Sequence, residues 1–232
     1  MSRLQCVLFD VDDTLYRELD FVHAAMGDVA AFVAGRTGED RDGVLTQLLE
    51  LLAERGRGDV FDTLLASRGL PSAWVAPMLY VYRCARPALS LYDDAGALLT
   101  LLRRNGVRTG IVTDGVTLVQ HNKVRGLGLE DVIDAVVYTD TLGPQAGKPS
   151  PTGFEIAMEL LGVTANRTAY VANDVRKDFI APRALGMTAV LVRRGILGDL
   201  REQPEHAHPH HAVDTLGEVA QTLNAAGLGV SP

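Results

Sequence analysis

Four short stretches of the chain hold side chains that could do chemistry. The first is Phe9-Asp10-Val11-Asp12-Asp13-Thr14-Leu15, which continues an apolar run over residues 4–9. If that run is a strand, alternation puts Asp10 and Asp12 on one side. Two carboxylates held so close repel, and either a metal cation or a shared proton has to offset them. Hard oxygen ligands favour Mg²⁺, which keeps several waters and leaves room for a phosphate oxygen. Asp is also common in turns, so the same residues could simply be an acidic turn capping a helix. The second stretch, Ile111-Val112-Thr113-Asp114-Gly115, ends another apolar run with a hydroxyl and a Gly-loosened turn. There the Thr113 Oγ and backbone N–H groups could meet an anion. The third is Gly147-Lys148-Pro149-Ser150-Pro151. A lysine between Gly and Pro sits on a stiff, non-helical loop and can aim a point charge at a carboxylate or phosphoryl oxygen, although most lysines are simply exposed. The fourth is Val171-Ala172-Asn173-Asp174, followed by Asp178. Its acids could complete a metal site or complement a helix dipole.

These groups need a scaffold that gathers them. Short apolar runs at residues 4–9, 107–113, 135–138, 168–172 and 188–192 read as buried parallel strands. Helical patterns lie between them. Asp93 can cap a helix carrying Leu98, Leu99, Leu101 and Leu102, which Asn105-Gly106 stops; others cover about 117–127, 152–161, 177–185 and 216–223. Strands alternating with helices mean βαβ units, an α/β fold with a parallel sheet covered on both faces. In open sheets of this kind ligands bind outside the carboxyl ends of the strands, where all four stretches fall.

Residues 17–87 break that rhythm. They hold no good strand, and Phe21, Val22, Ala25, Met26, Val29, Phe32 and Val33 follow helical spacing, as do Val44, Leu45, Leu48, Leu49, Leu51 and Leu52. Two shorter helices are expected near 60–67 and 72–84, with Trp74, Tyr80 and Tyr82 in a bundle core. The organisation expected is therefore a core domain of residues 1–16 and 88–232 with a helical insert at 17–87. The tract from His206 to His211 could bind metal, but Pro209 and Glu205 favour a solvated connector.

With 232 residues and 47% hydrophobic content the chain can bury a core unaided. Basic residues number 22 against 29 acidic ones, a net charge of −7, which argues against nucleic acid and anionic membranes as partners. Cys6 and Cys84 give neither a disulfide framework nor metal spacing and read as two buried, reduced thiols. No apolar stretch approaches the roughly 20 residues that span a bilayer, and the N-terminal residues do not form a signal peptide. A cytoplasmic location is the default expectation, as a monomer or homodimer.

Taken together, the four stretches resemble the motifs of the haloacid dehalogenase-like superfamily. Asp10-Val11-Asp12-Asp13-Thr14 is similar to its first motif, Asp-x-Asp-x-Thr; Thr113 matches the second, Lys148 the third, and Asp174 with Asp178 the fourth. Asn173 stands where that motif usually has Gly, and Asp114 where Asn is frequent. The resemblance implies a Rossmann-like doubly wound core with the insert as an α-helical bundle cap of the C1 type. It implies Asp10 as a nucleophile forming an aspartyl-phosphate, and Asp12 as acid and then base. Mg²⁺ would be held by Asp10, the Asp12 carbonyl and Asp174, with Asn173 and Asp178 behind it. Thr113, the Asp114 N–H and Lys148 would hold the phosphoryl oxygens. Tyr16, Arg17, Arg83 and Arg86, near the entry and return of the insert, are candidates for substrate selection. Asp12 fits a phosphatase or a sugar phosphomutase, since dehalogenases lack that acid. The implied reaction is hydrolysis of a small phosphorylated metabolite, a sugar phosphate or nucleoside monophosphate. A phosphomutase is the alternative, and a non-catalytic binding module is disfavoured because the motif residues are all present.

Overall fold

The computed structural model describes residues 4–195, 208–225, 227 and 229. Cys6–Phe9 forms β1 and is buried along its whole length, as a central parallel strand covered on both faces must be. Beside it run β2 (Arg108–Thr113), β3 (Ala135–Tyr138), β4 (Thr168–Ala172), β5 (Thr188–Val192) and β6 (His211–Val213). The sheet order is β3-β2-β1-β4-β5-β6, every pair parallel. The chain therefore leaves β1 in one direction to β2 and β3, then returns to the other side for β4. That reversal puts the carboxyl ends of β2, β1 and β4 side by side, the place where open α/β sheets bind ligands. Register pairs Phe9 with both Ile111 and Val171, so Asp10 emerges between the two neighbouring tips.

The chain forms two compact units, Met1–Glu18 with Leu89–Pro232, and Leu19–Ala88. The second holds most of α1 (Glu18–Thr37), with α2 (Arg41–Arg55), α3 (Val60–Ser67) and α4 (Val75–Cys84). Their inward stripes form one apolar cluster, including Val29, Leu48, Leu64 and Met78. Asp40 starts α2 by accepting the Gly43 N–H at 2.7 Å, the usual work of an N-cap side chain. Tyr80 differs from expectation. It lies opposite the Met78 and Tyr82 side of α4 and is 70% exposed. Cys6 is buried as expected, with its thiol pushed up to about 12 chiefly by burial, but Cys84 is only half-buried.

The sheet-bearing unit adds α5 (Asp93–Arg104), α6 (Thr117–Gly126), α7 (Thr152–Leu161), α8 (Ile180–Leu185) and α9 (Gly217–Ala225). α5 buries Ala95, Leu98, Leu99 and Leu102 on one face, the spacing that the 3.6-residue turn demands. α7 stops at Gly162, whose left-handed backbone (φ 61°) lets its N–H reach back to Glu159 and Met158. α8 begins three residues later than the pattern suggests, because residues 174–179 form the turn that presents Asp178. The histidine tract was expected to be a connector. Instead His211–Val213 becomes the edge strand β6, and the His210 Nδ1 accepts the Ala189 N–H at 2.9 Å. The open edge of β5 supplies the pairing, which three residues directly behind a proline- and histidine-bearing stretch do not advertise. His206 lies outside the described residues. No helix among the described residues is long and apolar enough to cross a membrane.

Gly110 shows how tightly the sheet packs beneath the strand tips. A Cβ there would stand 2.6 Å from Leu8 Cδ2 and 3.1 Å from Leu161 Cδ1. Both are core side chains on β1 and α7 with nowhere to retreat. Gly96 on α5, by contrast, has open space around it. Gly110→Ala should destabilise the protein by roughly 1–3 kcal/mol through overpacking, while Gly96→Ala should be neutral or stabilise by up to about 1 kcal/mol. Thermal unfolding of the two variants checks this; an unchanged melting temperature for Gly110→Ala would show that the layers slide apart freely.

Candidate active site

β1 ends abruptly. The Asp10 N–H makes the last bond to its neighbour strand, to Val171 O at 3.0 Å. The chain then coils, with Thr14 and Leu15 donating back to Val11 O at 3.2 and 3.0 Å. Asp13 sits at φ 52°, a left-handed conformation that Asp tolerates better than most residues. From there its Oδ1 accepts the Glu18 N–H at 3.0 Å and caps α1. The coil leaves Asp10 facing the space beyond the tips of β1 and β4.

Asp10 meets a buried cation. Lys148 Nζ lies 2.7 Å from Asp10 Oδ1 and 2.8 Å from Asp178 Oδ1, and donates to the Tyr170 hydroxyl at 3.0 Å. The ammonium thus hydrogen-bonds Asp10 and Tyr170 and pairs by charge with Asp178, whose Oδ1 accepts no hydrogen bond, in a place closed to water. Burial alone would lower the Lys148 pKa, but Asp10 and Asp178 overcome it and hold the ammonium well above its ordinary value. Burial is also the largest influence on Asp10 and raises its pKa. Lys148 pulls the other way, Asp178 and Asp12 add to the rise, and the outcome is about 7.

Asp12, two residues on, has the opposite environment. Its Oδ1 accepts from Tyr16 Oη at 2.7 Å, its Oδ2 from Gln120 Nε2 at 3.1 Å, and Lys123 Nζ reaches the two oxygens at 2.8 and 2.7 Å. Burial pushes its pKa up, yet the Lys123 charge and these hydrogen bonds outweigh it and hold the carboxyl below the usual range. Gln120 Nε2 also donates to Thr113 Oγ1 at 2.8 Å and to Asp114 O at 2.6 Å.

The remaining polar groups fix the loops around this pair. Asp114 Oδ1 accepts from the Lys148 backbone N–H at 3.0 Å and the Thr139 hydroxyl at 2.8 Å, and its Oδ2 from Lys177 Nζ at 2.8 Å. The charged side chain that departs from the common Asn therefore clamps the lysine loop. Asn173 Oδ1 accepts from Thr14 Oγ1 at 3.3 Å, tying the tips of β4 and β1 together. Asp178 Oδ2 accepts the Asp174 N–H at 3.0 Å. Asp174 takes Arg176 on both oxygens, each at 2.8 Å, from a guanidinium whose side chain is 64% exposed.

The structure brings Asp10, Lys148 and Asp178 into contact, and joins Asp12 to Thr113 through Gln120. Tyr16 is a correction. Expected among the substrate contacts, it is fully buried and its hydroxyl is spent on Asp12, because the coil after β1 turns it inward. Arg17, Arg83 and Arg86 are exposed. Sequence reading missed Gln120, Lys123 and Tyr170, all buried. The signal for the first two was polar residues three apart on a helix that starts at the tip of β2. Tyr170 carried none beyond its place in β4.

Lys148 is the cation of a buried triad, so its loss should leave two carboxylates without a counter-charge. Lys148→Met is expected to destabilise the fold by roughly 3–5 kcal/mol near pH 8. The penalty should shrink toward pH 5, since an acid whose folded-state pKa already stands at about 7 takes up a proton there and sheds its unpaired charge. Urea unfolding at the two pH values measures this, and a penalty that grows on acidification would contradict the pairing.

The haloacid dehalogenase-like hydrolase family model matches residues 4–186. The glyceraldehyde 3-phosphate phosphatase of Methanopyrus kandleri is 30% identical over 228 residues, 95% of this chain and 97% of that enzyme. The enzyme of the same name from Methanocaldococcus jannaschii is 26% identical over 223 residues, 94% of this chain and 97% of its own. The crystal structure of a HAD phosphatase from Thermococcus onnurineus superimposes with a TM-score of 0.62 at 26% identity, covering 95% of this chain and 98% of that one. Strand order, the position of the acidic pair at the tip of β1 and these matches converge: the chain belongs to the haloacid dehalogenase-like hydrolase family.

Proposed function

We propose that the chain is a Mg²⁺-dependent phosphatase of a small phosphorylated metabolite, acting through an aspartyl-phosphate on Asp10. The observation that carries this reading is the pair of carboxylates two residues apart with separate partners, Asp10 on Lys148 and Asp12 on Lys123. One acid is thereby free to attack while the other handles protons, the division of labour that hydrolysis of a phosphate ester needs. Archaeal relatives named as glyceraldehyde 3-phosphate phosphatases, matched over nearly their whole length, support the same class of substrate.

In the first half-reaction an Asp10 oxygen bonds to phosphorus as the bond to the leaving oxygen breaks, and Asp12 gives that oxygen a proton. In the second, water loses a proton to Asp12 and attacks the phosphorus of the acyl phosphate, which releases inorganic phosphate and restores Asp10. Thr113 Oγ1, the Asp114 N–H and Lys148 are the donors for the phosphoryl oxygens. Negative charge entering beside Asp12 raises its proton affinity for the acid step, and Lys123 favours its ionised form for the base step.

The donor set fits Mg²⁺. The Asp10 and Asp174 carboxylates and the Asp12 carbonyl are hard oxygens on adjacent strand tips, and Asp10 shares its lysine with a second buried carboxylate, Asp178, an excess of negative charge that a cation would offset. Only two side-chain carboxylates enter the set, consistent with the lack of any three-residue His, Cys, Asp or Glu cluster among the described residues. Arg176, on an exposed side chain, would give way at Asp174 with little loss. When bound, the ion neutralises charge on the phosphoryl group. Asp178 holds Lys148 and the Asp174 backbone behind this set. Leu19–Ala88 is our candidate cap of the C1 type, and Arg17, Arg83 and Arg86 are our candidates for substrate selection.

A panel of phosphorylated metabolites that includes glyceraldehyde 3-phosphate tests the reading through release of inorganic phosphate. Release is expected with Mg²⁺, with chelator abolishing it and added Mg²⁺ restoring it, and Asp10→Asn should drop it to background while the variant still folds. Isomerisation of a sugar phosphate without phosphate release would mark a phosphomutase instead, and an active Asp10→Asn variant would remove Asp10 as nucleophile.

A further inference from the structure

We infer that Lys123 and Gln120, on one face of α6, are positioning residues that set how Asp12 meets the reacting oxygen and tie it to the phosphoryl-binding Thr113. This rests on the phosphatase reading above and extends it to two residues outside the family's motifs as they stand in this sequence.

The two side chains are three residues apart, so they share a helix face, and both are more than nine-tenths buried. An ionised carboxylate offers about four lone-pair sites. In Asp12 all four have donors: Tyr16 and Lys123 on Oδ1, Gln120 and Lys123 on Oδ2. A leaving oxygen or a water can therefore exchange a proton with Asp12 only by displacing one of them. Lys123 is the donor that contacts both oxygens, so it can yield one and still hold the other. The carboxylate then keeps its orientation while one oxygen opens to the reaction.

Gln120 adds the second constraint. Its Nε2 faces three acceptors, the Asp12 carboxylate, Thr113 Oγ1 and Asp114 O. Its Oε1 is buried with no hydrogen-bond partner. Turning the amide over would set that oxygen against a carboxylate and a carbonyl, so the orientation is forced despite the unpaired Oε1. With Thr113 Oγ1 already accepting from Gln120, its own hydrogen is left to donate to a phosphoryl oxygen. One helix face thus aligns the group that handles the leaving oxygen and the group that holds the phosphoryl.

The test compares kcat and KM of the wild type with Lys123→Met, Lys123→Arg and Gln120→Leu. Two substrates are used, an alkyl phosphate that needs protonation of its leaving oxygen and 4-nitrophenyl phosphate, which does not. Lys123→Met should lower kcat for the alkyl ester by roughly 100-fold and far less for the aryl ester, with KM moving by less than about threefold. Lys123→Arg should recover part of the loss. Equal losses for both esters, or a change confined to KM, would overturn the inference. Should Lys123→Met not fold, Gln120→Leu is judged by the same leaving-group contrast. A crystal structure of the folded variant gives a readout apart from turnover, with the Asp12 carboxylate expected to rotate by more than about 30° from its present position. If the wild type hydrolyses no ester, the phosphatase reading fails and this rotation alone decides; an unmoved Asp12 then refutes the positioning role.

Discussion

Crowded negative charge at one edge of the sheet is the constraint on which the rest of the structure depends. Asp10, Asp12, Asp174 and Asp178 are drawn together because β1 and β4 are neighbours in register. A buried carboxylate without a partner is untenable at neutral pH, so each acid has a cation. Asp10 and Asp178 share Lys148, Asp12 has Lys123, and Asp174 has Arg176. These pairings dictate local backbone as much as the hydrophobic core does. The loop carrying Lys148 is clamped by Asp114, whose other oxygen is held by Lys177. A charge introduced at the tip of β2 is thus absorbed by positioning the cation that belongs to β1.

The second consequence is asymmetry. Asp10 and Asp12 lie two residues apart on the same coil, yet their proton affinities move in opposite directions. Burial acts on both with the same sign. The difference comes from what else each touches. Asp10 shares its lysine with another carboxylate and lies within reach of the charge on Asp12. Asp12 has a lysine gripping both oxygens, a phenol and an amide. Pairs of carboxylates driven apart by their surroundings are how a single fold obtains two roles from one residue type.

Much of this was legible in the sequence, and the missing part has a physical reason. The parallel strands could be read because full burial leaves apolar runs, and the motif residues could be read because chemistry at strand tips demands particular side chains next to those runs. The helical insert announced itself by periodicity. What escaped was whatever depends on a partner distant in sequence. β6 exists because β5 offers an edge, not because residues 211–213 favour a strand. Tyr16, a candidate for substrate selection by its place at the entry of the insert, is instead turned onto Asp12 by the coil after β1. Tyr80 and Tyr82, alike in sequence, part company because only one faces the bundle.

α6 makes the same point from the opposite side. Its buried residues include Gln120, Asn122 and Lys123 as well as Val124, a composition that would destabilise an ordinary core-facing helix. Such a face is stable only where polar partners already wait for it, and here the carboxylate of Asp12 and the tip of β2 supply them. A helix that starts at a strand tip and turns polar residues inward therefore carries information that periodicity discards: its inward face answers to the charge of the site rather than to the core. For this fold the support of the reactive acids lies as much in the helix after β2 as in the four motif stretches themselves, because strand tips can present carboxylates but only a packed neighbour can hold them apart.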